Sequence, residues 1–125
     1  MQSVTSNAVY KAFSEWEQIW SSGSSNFIQG IETLMGKFLR IRFNGLTSGY
    51  IANGTTIATI TDNRYKPTIN TNRFIVGVDT SNARVGAGID YTSNGKMNIY
   101  FYGNTPVTGG QTVNGIFCDV LLLLL

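Results

Sequence analysis

Arg84-Val85-Gly86-Ala87-Gly88-Ile89-Asp90-Tyr91-Thr92-Ser93-Asn94-Gly95-Lys96-Met97-Asn98-Ile99-Tyr100-Phe101-Tyr102 is the stretch on which the fold class turns. Val85, Ala87 and Ile89 alternate with Arg84, Gly86, Gly88 and Asp90. On the far side, Met97, Ile99 and Phe101 alternate with Asn98, Tyr100 and Tyr102. Successive side chains of a strand point to opposite faces of a sheet, so period-two alternation marks strands with one buried face. Ser93-Asn94-Gly95 lies between the two runs, and Asn-Gly tolerates the positive φ of a type I′ turn. The stretch predicts an antiparallel hairpin.

Working outward, the same pattern recurs in shorter pieces. Leu39, Ile41 and Phe43 alternate with Arg40 and Arg42 and end at Asn44-Gly45. Tyr50 to Ala52, Thr55 to Ile60 and Arg73 to Asp79 read as further strands, separated by Asn53-Gly54 and by a loop at Asp62 to Pro67. Gly109-Gly110 forms another turn, and Gln111 to Val120 reads as one closing strand. Short strands at regular spacing with turn signals between them predict a mainly β domain, an antiparallel β-sandwich resembling a jelly roll.

The N-terminal part reads differently. Ser3 to Trp20 predicts a short α-helix, with Thr5, Ser6 and Asn7 as N-cap candidates. Val9, Phe13, Trp16 and Trp20 follow at spacings of four, three and four, a stripe that either meets sister helices or folds onto its own domain. Ser21-Ser22-Gly23-Ser24-Ser25 reads as a flexible joint, dividing a neck (1–25) from a head (26–125). Phe27 to Met35 fits a short helical turn interrupted by Gly30. Leu121 to Leu125 is too short to cross a bilayer and reads as a buried strand, an oligomer plug or an added tail.

Composition excludes several classes of chemistry. Nine basic and seven acidic side chains leave a net charge of +2, which gives no general argument for nucleic acid or a membrane surface. There is no histidine, so a Ser-His-Asp triad and the commonest zinc ligand are impossible within the chain. The single cysteine, Cys118, excludes an internal disulfide and a multi-cysteine metal site, and its apolar surroundings fit an inert thiol. No cofactor or metal is expected.

Asp62, Asp79, Asp90 and Asp119 are the carboxylates available for glycoside hydrolysis, but each lies beside a turn or strand end, where local hydrogen bonding explains it. Gly86-Ala87-Gly88 lacks the following helix that a nucleotide-binding loop requires. Arg and Tyr residues spread along the chain suit either a solvated sheet face or stacking against sugar rings. With charge near balance, sugar is favoured over nucleic acid.

Ser3-Val4-Thr5-Ser6-Asn7-Ala8-Val9-Tyr10-Lys11-Ala12 resembles a short segment of tail-fibre and baseplate proteins of bacteriophages and prophages, where it begins a helix before a C-terminal head. The order Ile57-Ala58-Thr59-Ile60, Tyr65-Lys66-Pro67, Phe74-Ile75-Val76 and Ser93-Asn94-Gly95-Lys96 is similar to the pattern of fibre tips, although Thr61 and Lys66 replace a proline and an arginine common there. The resemblance implies a virion protein, non-enzymatic and homotrimeric, that meets other virion proteins and a host surface glycan or protein. A purely architectural capping or decoration role is the alternative. Asp79, Asn82 and Arg84, in the turn before the hairpin, and Tyr100, Tyr102 and Asn104, on or after its outward face, are the expected ligand contacts.

Overall fold

The central hairpin forms as its alternation dictates. A computed structural model describes residues 15–69, 72–101 and 109–124. Within it, β7 (Arg84–Tyr91) pairs antiparallel with β8 (Lys96–Phe101), from Ala87 opposite Phe101 to Tyr91 opposite Met97. Ala87, Ile89, Tyr91, Met97, Ile99 and Phe101 are buried, as the pattern requires. The turn differs from type I′. Only Gly95 has positive φ (86°), Gly95 N–H donates to the Thr92 carbonyl at 2.9 Å, and Thr92 N–H donates to Lys96 at 3.0 Å. This is a three-residue loop with a left-handed glycine at its end. A Cβ at Gly95 would also lie 2.2 Å from the Ile60 carbonyl oxygen, so glycine is required there twice over.

The remaining strands are β1 (Glu17–Ser21), β2 (Phe27–Thr33), β3 (Gly36–Leu46), β4 (Gly49–Ala52), β5 (Thr55–Thr59), β6 (Asn72–Asp79), β9 (Gly110–Val113) and β10 (Gly115–Leu123). Eight of the ten described strands form one continuous antiparallel sheet in the order β1-β2-β3-β10-β6-β7-β8-β5, and β4 pairs with β9 apart from it. The strands therefore do not divide into two sheets of comparable size, as a sandwich would. Their apolar faces meet in one core that joins Ile28 on β2, Leu39 and Ile41 on β3, Val76 on β6 and Ile99 on β8, so the twisted sheet curls nearly into a barrel.

The long-range closure comes from the loop after β5. Asp62 caps a single 3₁₀ turn (Asn63–Tyr65) by accepting from Arg64 N–H at 3.0 Å. Arg64 then reaches Glu17 on β1 and Asp62 at 2.8 Å, with Glu32 on β2 at 4.0 Å, while Lys37 on β3 donates to its carbonyl at 2.7 Å. Tyr65 is buried below this clasp, and its carbonyl accepts from the buried Tyr91 hydroxyl. β1 and β5 are the sheet's two edges, and this turn ties the chain leaving β5 to the strands around β1.

Four expectations are corrected. Among the described residues there is no α-helix, and Glu17 to Trp20 is strand. Register shifts between Gln18 and Trp20, where Ile19 is the extra residue of a bulge. That bulge lets the adjacent Ile19 and Trp20 both pack on the core, and a helical spacing is what such a doublet imitates. Trp20 meets Phe43 edge to face at 5.8 Å, and Trp16 is exposed, so neither belongs to a helical neck. Val9 and Phe13 lie outside the described residues.

Second, in the expected joint Ser21 to Ser25, Ser21 ends β1 and Ser22 to Ser25 form the turn of the β1–β2 hairpin, closed by Ser22 N–H to the Asn26 carbonyl at 2.9 Å, rather than a loose joint. Third, Phe27 to Thr33 is strand, and Gly30 within it leaves room for the Tyr65 ring. Fourth, Gln111 to Val120 is two strands in different sheets, divided at Asn114 just before Gly115. Gly115 has φ of 146°, and a Cβ there would meet the Phe117 ring at 3.0 Å. The leucine run completes β10: Leu122 packs on the core, Leu121 and Leu123 face outward, and Leu124 N–H donates to Lys37 at 2.9 Å. Among the described residues no helix is long and apolar enough to cross a membrane.

Candidate ligand-binding face

The outward face of β6, β7 and β8 is ordered in rows by the strand register. Arg73 lies opposite Asp90, Asp90 opposite Asn98, and Asn98 opposite Thr56 on β5. Arg73 donates to both Asp90 oxygens, and the Thr56 hydroxyl donates to Asn98 Oδ1 at 2.6 Å, so this row is a polar ladder across four strands. The next row is Ile75, Gly88 and Tyr100, with Ile75 56% exposed. Gly77 faces Gly86 in the third row, and Asp79 faces Arg84 in the fourth.

Three glycines thus lie together on one face. Gly88 is buried and a Cβ at Gly77 would lie 3.3 Å from the Arg84 side chain, so the bare backbone is at Gly86, where a Cβ would meet no atom within 4 Å. Tyr100 flanks it on β8, and Phe117, opposite Gly77, flanks it on β10. The Arg84 guanidinium stacks over the Phe117 ring at 4.5 Å and donates through Nε to Asp79 at 2.6 Å and through Nη2 at 3.2 Å. A guanidinium stacked on one side and forked to a carboxylate on the other is held in one plane. The same pair holds the Asp79 carboxyl below the usual carboxylate range, chiefly through the Arg84 hydrogen bond.

Of the expected contact residues, the structure brings Asp79 and Arg84 into direct contact. Asn82 is exposed in the adjoining turn, where the Thr80 hydroxyl accepts from Ala83 N–H at 3.1 Å. Tyr100 shares the face but not the corner. It lies opposite Gly88, four residues along β7 from Arg84, about 13 Å at the rise of a strand. That distance exceeds one sugar ring, so only an extended ligand reaches both. Tyr102 and Asn104 lie outside the described residues. Phe117 escaped the sequence reading: its place beside Gly77 depends on a register between strands nearly forty residues apart in the chain.

The four aspartates weighed as acid and base are all paired with arginine: Asp62 with Arg64, Asp79 with Arg84, Asp90 with Arg73, and Asp119 with Arg40 at 3.4 Å. A general acid in glycoside hydrolysis needs a raised pKa, whereas Asp62 and Asp79 are both shifted down by their arginines. Among the described residues no group of three or more His, Cys, Asp or Glu side chains could hold a metal ion. The face combines bare backbone at Gly86, aromatic side chains on two sides and an arginine–carboxylate pair held in one plane. No protein-family model, curated protein or solved structure matches the chain.

Proposed function

We propose that the chain is a phage structural protein, the tip domain of a homotrimeric fibre on the virion, which binds a host surface glycan without cleaving it. The observation that carries the reading is the glycine-floored face. A sugar ring presents a C–H face that packs on aromatic rings and a rim of hydroxyls that bond to Arg, Asp and Asn side chains. Bare backbone at Gly86 lets a flat ligand approach between Tyr100 and the Arg84–Phe117 stack. The resemblance of Ser3 to Ala12 to fibre segments supplies the biological setting. The jelly-roll-like reading of the head belongs here too, since a sheet curled on itself sets opposite halves face to face as a sandwich does. Three weak sites on one axis would gain avidity at a surface carrying many receptors.

A glycan array probed with the intact chain tests the reading. Binding to a defined glycan class, lost in Phe117→Ala and in Tyr100→Ala, is the expected outcome. Light scattering of the same preparation should give three times the chain mass.

A second reading, a purely architectural cap, is favoured by one observation. Leu34, Met35, Leu121 and Leu123 are 74%, 84%, 65% and 44% exposed near one end of β2, β3 and β10, an apolar group suited to contact between copies. A trimer that binds nothing on the array would support that role.

A further inference from the structure

β4 and β5 are joined by the tight Asn53-Gly54 turn, yet they are not paired with each other. β4 pairs with β9 and β5 with β8, so the two diverge from the turn like the arms of a V. Between them and the Leu46–Ser48 link lies a cleft of about 260 Å³. Its floor is apolar, from the buried Leu46 and Ile51 and the half-buried Ile57. Five exposed hydroxyl-bearing residues, Thr47, Ser48, Tyr50, Thr55 and Thr56, also line it, with the Thr56 hydroxyl turned to Asn98 and the Tyr50 hydroxyl close to Gly110. Among the described residues no charged side chain lines it.

Thr47 adds an independent mark. Its φ is 56°, the only positive value at a non-glycine position among the described residues. A β-branched residue is disfavoured in the left-handed region, and such strain gathers at ligand clamps, where the surrounding structure holds it in place. Glycine would relieve that strain but would remove the hydroxyl.

We infer that this cleft is a subsite for one neutral, polyhydroxylated ring, a hexose or N-acetylhexosamine unit. The volume lies just below the range of about 300 to 1,000 Å³ typical of drug-sized ligands, and so suits a single sugar unit. Hydroxyl rims with an apolar floor and an exposed tyrosine match the two faces of a sugar ring. The Thr55 hydroxyl donates to the Ala52 carbonyl at 2.6 Å, which leaves its oxygen to accept from a ligand hydroxyl. The absence of charge from the lining disfavours acidic sugars and phosphates. A second cleft, lined by Lys37, Arg64 and Lys66, is no rival for a neutral ligand, and its Arg64 is already matched by Glu17 and Asp62. The inference rests on the glycan reading for ligand class but not for position.

The test is amide NMR of the intact chain titrated with a panel of neutral monosaccharides: glucose, galactose, mannose and the two common N-acetylhexosamines. The expected result is saturable shifts at Thr47, Ser48, Tyr50, Thr55 and Thr56 with at least one sugar. Tyr50→Ala should abolish these shifts. Thr47→Gly should weaken binding several-fold while raising the melting temperature. Shifts confined to Arg84, Gly86 and Tyr100 would overturn the inference and leave the glycan reading intact. Shifts confined to the cleft would uphold it and displace the outer face. No shift with any sugar, or shifts that survive Tyr50→Ala, would overturn it. So would a response along β4 and β5 to an extended peptide alone, because that would identify strand addition.

Discussion

The ring of Tyr65 occupies the space that a side chain at Gly30 would need: a Cβ there would lie 2.6 Å from Cε1 and 2.7 Å from Cζ. Tyr65 is 2% exposed and clamped from above by the Arg64 clasp, so the ring has little freedom to withdraw. Overpacking of this kind costs about 1–3 kcal/mol. Gly30→Ala should therefore lower the unfolding free energy by that amount, read as a lower urea midpoint with no change in the slope of the transition. An unchanged midpoint would mean that β2 and the 3₁₀ turn can separate without cost.

The Tyr91 hydroxyl donates to the Tyr65 carbonyl at 2.5 Å within the core. Tyr91→Phe keeps the ring but leaves that carbonyl without its donor, a loss of about 1–3 kcal/mol. Burial also pushes the Tyr91 phenol well above its ordinary value. A folded-state pKa above the unfolded one gives a contribution fully present below about pH 10, which declines as pH rises towards the folded value. The wild-type protein should lose stability as pH rises above about 10. That alkaline loss should be smaller in Tyr91→Phe, as read by denaturation at several pH values.

Much of the sheet could be read from side-chain periodicity, because β3, β6, β7 and β8 each bury one face. Ala87, Ile89, Met97 and Ile99 show this most plainly. What escaped depends on contacts distant in sequence. Gly30 looks like an interruption of β2 until Tyr65 is placed against it. The Ile19 bulge puts two neighbouring apolar residues on the core and so mimics a helical stripe. Asp79 and Arg84 could be singled out because they flank one turn. Phe117 could not, since only the β10–β6 register carries it to Gly77. The cleft at Thr47 was hidden for a similar reason: a tight Asn-Gly turn implies paired strands, and β4 and β5 pair elsewhere.

The titration of Asp79 should report its pairing with Arg84. The hydrogen bond from Arg84 lowers the Asp79 pKa, so the contribution of the pair is present above the ordinary carboxylate value and is lost as pH falls through the depressed one. Both side chains are substantially exposed, and the effect on stability is small and weakened by salt. The direct readout is carboxyl carbon NMR. Arg84→Gln should return Asp79 towards the usual carboxylate range near 3.9. An unmoved titration would mean that the pair does not persist in solution.

Cys118 should be slow to alkylate in the folded protein. Burial against the sheet raises its thiol to about 11, and the sulfur lies 3.7 Å from the Ile41 carbonyl. Near neutral pH the thiolate fraction falls on the order of a hundredfold relative to an unfolded thiol. Iodoacetamide labelling followed by mass spectrometry should show that protection, and its loss in urea. Rapid labelling without denaturant would indicate that β10 opens locally.

Gly86 separates binding from folding. Its Cβ position is open and its φ is not in the left-handed region, so Gly86→Ala should leave the fold intact and stabilise it by about 0.5 kcal/mol through the unfolded chain. The added methyl nevertheless stands on the bare floor between Tyr100 and the Arg84–Phe117 stack. A ligand that lies flat there must rise off the sheet and lose its aromatic contacts. Glycan-array signal should therefore fall while the melting temperature holds or rises. A bulkier Gly86→Val should abolish binding with the fold retained, since valine suits an exposed strand position. If both variants bind as the wild type does, the ligand does not use this face.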